Sequence, residues 1–383
     1  MNAHDIVIAG GGLHGLSAAY FLAKRGMRVV LLEKDRFGHH ASGRNAGGVR
    51  RLGRNLAEIP LSLASLDLWQ RLPELIGTDG GFRASSQVRV AETEADLAAL
   101  EARVALMRQH GYAHEELIGP DELYRLMPAL APGCPGGIIT RGDGFADPLA
   151  TSLGFARAAR RAGAELVEGA TVVAIESGGG GWRVTTAQGE TYQAPHVLNA
   201  AGAWGDRIAA MTGDAVPLRF AAYMMTITTA LPAFLTPVAL TTSRPLSFKQ
   251  LASGAALIGG GYEGTGDRDT GEVRCDPAGI AANVATALDL FPVLKEATIV
   301  RSWCGLEGVL DDQLPVLGAS PIADGVFHAF GFSGHGFQLG PGTGAMLAEL
   351  IATGATDFDL SPFRADRFTK PAGASDAPER TKP

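Results

Sequence analysis

The sequence predicts an α/β fold in which a strand–helix layer is interleaved with a second, mostly antiparallel β-sheet layer. Three observations predict it. Residues 5–33 read as strand, glycine turn, helix and strand. Residues from about 163 to 275 break into short strands separated by turn residues. Residues 325–354 return to strand, glycine turn and helix.

The first unit is "DIVIAGGGLHGLSAAYFLAKRGMRVVLLEKD". Ile6, Val7, Ile8 and Ala9 form an apolar run short enough for a buried strand. Gly10, Gly12 and Gly15 follow at G-x-G-x-x-G spacing. Leu16, Ala19, Tyr20 and Ala23 recur at helical spacing, and Gly26 is the expected stop. A second apolar run, Val29 to Leu32, ends in Glu33, 18 residues beyond Gly15. This is a Rossmann-like dinucleotide turn with a physical task for each part. Gly10 permits the tight turn, Gly12 lets backbone N–H groups reach a pyrophosphate, and Gly15 lets the helix pack on the sheet. The helix N-terminus faces the phosphate charge, and Glu33 can accept hydrogen bonds from ribose hydroxyls. On this stretch alone FAD and NAD are not separated.

At 383 residues the chain has room for two domains, and 46% hydrophobic content supports a substantial core. A net charge of −7, with no basic run, argues against a nucleic-acid surface. Cys134, Cys275 and Cys304 are far apart and lack C-x-x-C spacing, so no metal site is expected and a reduced compartment is. The first strand begins too early for a signal peptide. No apolar run approaches the roughly 20 residues of a membrane span. The expected location is the cytoplasm.

"FGHHASGRNAGGVRRLG" reads as a glycine-rich, basic loop without period. Helices are expected over 56–76, 94–109, 148–162 and about 277–290, with a short capped helix in "GPDELYRLMPAL". "AELVEGATVVAIESGGGGWRVTTAQGETYQAPHVLNAAGAW" reads as several strands, the last apolar enough to re-enter a buried sheet. Segments 1–80, 145–215 and 300–368 are therefore expected to build a discontinuous nucleotide domain. Residues 81–144 and 216–299 are expected to build a sheet covering the reactive end of the cofactor, and 369–383 a flexible tail.

Four signals lie in order along the chain: the turn with Glu33, the loop "ASGRNAGGVR", the strand end "LNAAGAW" and the distal "GFSGHGFQLGPGTG". With "RSWCGLEGVLDDQLPVLG", they resemble the FAD-dependent amine and amino-acid oxidoreductases of the D-amino-acid oxidase superfamily. The branch most similar holds the sarcosine oxidase β subunit, glycine oxidase, and the opine and D-hydroxyproline dehydrogenases. The resemblance runs from residue 5 to about 368. It implies an FAD-binding, glutathione-reductase-like Rossmann domain with non-covalent FAD, and it leaves NAD explaining only the first signal. Expected cofactor contacts are Gly10, Gly12, Leu13, His14 and Gly15 in the turn, then Glu33 and Lys34. Ser42, Arg44, Asn45, Ala46 and Gly47 follow, with Val173 at the adenine and Ala201, Gly202 and Trp204 beyond it. Gly334, His335, Gly336, Phe337 and Gln338 open a helix whose positive end is set to face the flavin ring. Plainer roles stand beside these: Arg44 as a solvated loop residue, Trp204 as packing, His335 as a turn donor.

The same resemblance implies oxidation of a C–N bond in a small amino or imino acid of the D-hydroxyproline, proline, sarcosine, glycine or opine kind. Hydride passes from the carbon beside nitrogen to flavin N5, and water hydrolyses the resulting imine. Arg50 matches the arginine that binds the substrate carboxylate in monomeric sarcosine oxidase and is preferred to Arg51; both also read as loop decoration. Arginine suits a carboxylate through its bidentate geometry. His335 and Tyr262 complete the expected catalytic set, with Tyr223 and Glu307 as further pocket candidates. Two departures from the oxidase carry weight. "AALIGGGYE" holds no lysine where that enzyme places one over the flavin, which favours a dehydrogenase delivering electrons to partner subunits. Gly305, beside Cys304, stands where the oxidase attaches its flavin. The alternatives are an FAD-holding, non-catalytic subunit of a hetero-oligomer and a flavin dehydrogenase acting on a C–O bond.

Overall fold

The structure, a computed structural model, describes residues 4–368; the tail expected over 369–383 lies outside the described residues. Four consecutive apolar side chains suit a strand covered on both faces. Ile6–Ala9, fully buried, occupies the middle of a six-stranded sheet. The order across that sheet is Val316–Ala319, Val326–Phe330, His196–Asn199, Ile6–Ala9, Val29–Glu33 and Glu165–Glu168. Neighbours run parallel except Val316–Ala319, which is antiparallel to Val326–Phe330. Ile6 lies opposite Val29 on one side and His196 on the other. The remote segment "HVLNAA" thus re-enters the sheet beside the first strand, as its apolar run predicts.

One face of this sheet shares a core with helices Leu13–Lys24, Ile59–Gln70, Pro148–Arg161 and Gly336–Thr353, built on Leu16, Trp69, Phe155, Leu339 and Leu347. Asp147 starts the third of these by accepting a hydrogen bond from Ala150 N at 2.8 Å. The other face packs Val7, Val30 and Leu32 against a three-stranded meander, Val172–Gly178, Gly181–Thr186 and Thr191–Ala194. Small residues set the closest helix approach. A Cβ on Gly344 would lie 2.2 Å from Ser17 Oγ, and that hydroxyl donates to Gly340 O at 2.8 Å.

The second layer is a ten-stranded sheet whose pairings are antiparallel except for Val238–Thr241 with Gln87–Ala91. Its longest strand, Arg219–Ala230, pairs with Ile299–Val309, Tyr223 opposite Gly305. That pairing corrects one expected boundary. Residues from 300 onward are expected in the nucleotide segment, but through Val309 they are hydrogen-bonded into this sheet.

Helices expected over 94–109, 148–162 and 277–290 form as Glu94–Gln109, Pro148–Arg161 and Pro277–Leu290. The single helix expected over 56–76 is broken. It consists of a turn at Leu56–Glu58, then Ile59–Gln70, then Leu72–Ile76. Proline has no N–H for an intrahelical bond, and Pro60 and Pro73 each sit at the start of a new segment. The loop after residue 37 also has structure: a short helix, Ala41–Arg44, then Gly48–Val49 paired with Gly144–Phe145. Asn45 closes the turn between them, donating to Ala41 O at 2.8 Å and accepting from Gly47 N at 2.6 Å.

Substituting Gly344→Val places a branched side chain against the Ser17 backbone. Chemical unfolding of the purified protein is expected to show a loss of about 1–3 kcal/mol, the usual scale for overpacking; an unchanged midpoint contradicts the close-contact assignment.

Candidate active site

Between the two sheets lies a cavity of about 1650 Å³. Pockets for single small ligands usually hold about 300–1,000 Å³, so this space suits a larger cofactor together with a substrate. The strand ends and glycine turn of the six-stranded layer form one wall; Arg89, Tyr223, Met225, Leu240 and Thr241 of the ten-stranded layer form the facing one.

The turn is a cradle that side chains would fill. Gly10 has φ +114°, and a Cβ on it would meet Ala200 O at 2.3 Å. A Cβ on Gly12 would lie 2.9 Å from Ser42 Oγ, which accepts a hydrogen bond from Leu13 N at 2.9 Å. Glu33 is buried at the end of the second strand. Its Oε2 accepts from Gly11 N at 2.6 Å and its Oε1 from Asp35 N at 2.8 Å. Burial pushes its pKa up against these two donors, which pull it down. His14 lines the cavity with its ring stacked on Phe332, centroids 3.8 Å apart. Its Nε2 is buried without a partner among the described residues, and burial holds the ring's pKa down to about 3, so it is neutral. Glycine walls, an orphaned ring nitrogen and the first turn of the helix Gly336–Thr353 fit an extended dinucleotide with a polar ring system.

Most expected cofactor residues converge here: Gly10, Gly12, Leu13, His14, Glu33, Lys34, Ser42, Arg44, Asn45, Ala46, Val173, Ala201, Gly202, Trp204, Gly334, His335, Gly336 and Phe337 all line the cavity. Lys34 Nζ stands 4.1 Å from the Trp204 ring centroid, and Trp204 Nε1 donates to Arg268 O at 2.7 Å. Arg44 donates to Cys304 O at 3.2 Å, and Trp303 Nε1 donates back to Arg44 O at 2.9 Å, tying the loop to the facing sheet. Cys304 is buried among Ala203, Ala222, Met224 and Leu306, whereas Gly305 faces the cavity.

Four expected residues do not line it. Gly15 packs on the turn, where a Cβ would stand 2.0 Å from Gly10 O. Gly47, at φ +70°, packs on Ala146 O. Tyr262 joins the Met224–Leu306 apolar cluster instead of the cavity wall: after the strand Ala255–Gly259 the chain turns at Gly260 and Gly261, both at positive φ. Gln338 is fully buried: its Oε1 accepts from Ser62 Oγ at 2.9 Å and Arg54 Nη2 at 3.2 Å, and its carbonyl accepts from Trp69 Nε1 at 2.7 Å. It locks the helix start to neighbouring elements.

Arg50 lines the cavity and donates to Leu52 O at 3.0 Å. Arg51 instead pairs with Asp143, Nε to Oδ1 at 2.7 Å. His335 faces two acceptors, Ser333 O at 3.0 Å and Glu58 Oε1 at 2.9 Å. Burial alone would raise Glu58, but His335, Arg54 and Arg50 outweigh it and hold its pKa below the usual carboxylate range. Tyr223 is pushed up to about 12 by burial and then by Glu307, whose own carboxyl burial raises, against the N–H of Gly334 at 2.8 Å.

Arg54, Glu58, Arg89 and Arg103 also line the cavity, and sequence reasoning missed them. The charged run "VRRLGR" was a usable signal for Arg54; Arg89 sits inside a strand with nothing local to mark it. Lys249 was missed as well. It lies on Ser247–Gln250, next to the lysine-free strand Ala255–Gly259, and its Nζ donates to Ala46 O at 2.5 Å. Among the described residues no group of three or more His, Cys, Asp or Glu could hold a metal, and no helix is long and apolar enough to cross a membrane.

The cradle and cavity define a dinucleotide-binding fold. Residues 5–350 match the family "FAD dependent oxidoreductase" (DAO), and the chain belongs to it. The chain is 31% identical to glycine oxidase of Geobacillus kaustophilus (strain HTA426), covering 97% of this chain and 98% of that protein. A crystal structure of glycine oxidase from Geobacillus kaustophilus superposes with a TM-score of 0.87 at 29% identity, over 96% of this chain and 99% of that one. That of L-proline dehydrogenase from P. horikoshii gives 0.88 at 26%, over 96% and 98%. An opine oxidase subunit of Rhizobium meliloti is 29% identical over 95% of this chain and 97% of that protein. The resemblance to the D-amino-acid oxidase superfamily therefore holds, and the cofactor is FAD.

Lys249 supplies a pH test. Burial lowers its pKa from 10.5 to about 7. Between those values the unfolded chain binds the extra proton, so stability rises with pH across this window. The Tm of the wild type is expected to gain on that of Lys249→Met as pH rises from 7 to 9; parallel profiles contradict a buried, strained ammonium.

Proposed function

We propose that this protein oxidises the C–N bond of a small amino or imino acid whose carboxylate is held by Arg50. The carrying observation is that Arg50 and the glycine cradle line one continuous cavity. The names of its relatives, glycine oxidase, opine oxidase and L-proline dehydrogenase, support a substrate with nitrogen beside a carboxylate-bearing carbon. The six-stranded layer is the FAD-binding unit and the ten-stranded layer the substrate cap.

Held in the glycine cradle, FAD would supply the acceptor for the hydride on the carbon next to nitrogen. The bonding pair departs with that hydride and the nitrogen lone pair forms the C=N bond. The imine then takes up water and yields a carbonyl compound and the amine. The chain's own contribution is binding, orientation and exclusion of water. Arg50 fixes the carboxylate and so the direction of the C–H bond. His335, 2.9 Å from Glu58 Oε1, is the group on the cavity wall placed to take the nitrogen's proton. Tyr223 stays a neutral phenol at working pH and can donate to the substrate without adding charge. The opine oxidase relative is named as one part of a larger enzyme, which supports transfer of electrons to a partner chain as this protein's second half-reaction. The three cysteines are free thiols, in keeping with a cytoplasmic setting.

Anaerobic mixing with glycine, sarcosine, proline, D-hydroxyproline or an opine is expected to bleach the yellow flavin with at least one of them. Arg50→Met is expected to keep the flavin and slow bleaching by about 10- to 100-fold, the scale of a lost charged hydrogen bond. No bleaching by any amine contradicts the reading.

A further inference from the structure

Resting on that reading, the structure narrows the substrate class. Four guanidinium groups, of Arg50, Arg54, Arg89 and Arg103, line the substrate part of the cavity. Three carboxylates act on them, of which Asp143 is taken by Arg51, Nε to Oδ1 at 2.7 Å. Glu115 is taken by Arg103 in a bidentate pair at 2.8 and 2.9 Å. Glu58 lies 4.0 Å from Arg54 and is hydrogen-bonded to His335. Among the described residues neither Arg50 nor Arg89 has a carboxylate within 4.0 Å. Even with His335 neutral, two positive charges are left over. Of the other arginines on the cavity wall, three are matched: Arg207 with Asp269, Arg244 with Glu92 and Asp289, Arg268 with Asp206; Arg44, in the cofactor loop, is held by the carbonyl of Cys304 instead.

The local geometry concentrates the excess. Arg54 Nε donates to Arg50 O at 3.0 Å, and Arg103 Nη2 donates to Arg54 O at 2.8 Å, so the loop is folded to bring its side chains inward. Gly53, at φ +74°, lies between two of them: a Cβ there would stand 2.9 Å from Arg89 Nη2 and 3.4 Å from Arg50 Nη1. Two like charges face the same point. Arg54 is 2% exposed, and its Nη1 and the Nε of Arg89 are buried atoms without a hydrogen-bond partner among the described residues. Burial lowers Arg54 and Arg89 to about 10, the latter pressed further by Arg50 and Arg103, so both remain charged at neutral pH. Buried, unmatched cations of this kind are stabilised by a bound anion.

A single carboxylate balances one of the two charges and cannot meet every free guanidinium N–H. We propose that the substrate is a dianion, a secondary amine carrying two carboxylates, with Arg50 binding one and Arg89, assisted by Arg54, the other. The amine then lies between two fixed ends, which orients its C–H bond more tightly than one anchor would.

The test uses the FAD-loaded protein at constant ionic strength and reads binding from the perturbation of the flavin spectrum. The probes are malonate, succinate and glutarate against the monocarboxylates of equal length, with inorganic phosphate as a compact anion. The best dicarboxylate is expected to bind about 10- to 100-fold more tightly than its matched monocarboxylate. Arg89→Met is expected to abolish that preference while retaining flavin and monocarboxylate binding, and Arg89→Lys to restore part of it. Equal binding at every chain length, or phosphate as the tightest ligand, overturns the proposal. Loss of flavin from both Arg89 variants overturns it too, since the group would then serve the cofactor. Anaerobic bleaching separates this inference from the parent reading. Sarcosine reducing the flavin as well as iminodiacetate sinks the dianion alone, whereas no amine reducing it sinks both.

Discussion

The carbonyl of Gly10 occupies the place where a side chain on Gly15 would have to go, and Gly10 itself presses on the carbonyl of Ala200. This three-way approach of backbone to backbone is the constraint on which the rest depends. It brings the start of the helix Leu13–Lys24 down onto the ends of two adjacent strands, Ile6–Ala9 and His196–Asn199. Glu33 holds the third strand to the same turn through Gly11 N. A bulkier residue at either glycine separates helix from sheet and closes the cradle.

From that fixed point the long segments return. The helix Gly336–Thr353 lies against Leu13 and Ser17 through Gly340 and Gly344, so its first turn opens into the cavity that the glycine turn begins. The loop 41–55 crosses from the cradle to the facing sheet, fastened by Arg44 to Cys304 and by Lys249 to Ala46. One loop thus lines the cavity along its length: its first half lies beside the glycine turn and its second half carries Arg50 and Arg54. The register Tyr223 opposite Gly305 places a phenol beside a position with no side chain, leaving room next to the wall.

Much of this was legible in the sequence because glycine spacing and apolar periodicity are local signals. The turn 10–15, the helix boundaries at 94–109 and 277–290, and the distal helix after Gly334 follow from adjacent residues. Arg50 was singled out through resemblance; the structure puts it on the cavity wall and its neighbour Arg51 in an ion pair with Asp143. What escaped depends on contacts across the chain. Arg89 is an ordinary strand residue until Gly53 brings Arg50 beside it. Tyr262 looked like a pocket residue until the bend at Gly260 and Gly261 turned it into the Met224 cluster. The strand Ile299–Val309 could not be assigned to a layer before its partner, Arg219–Ala230, was known.

The most direct measurement is a crystal structure of the FAD-loaded protein with a carboxylate ligand that lacks an oxidisable amine. The account predicts the pyrophosphate on the backbone N–H groups following Gly10 and a ligand carboxylate in contact with the Arg50 guanidinium, inside the same cavity. A carboxylate seated away from Arg50, or a cofactor that fills the space between Arg50 and Tyr223 and leaves no room for one, would contradict it.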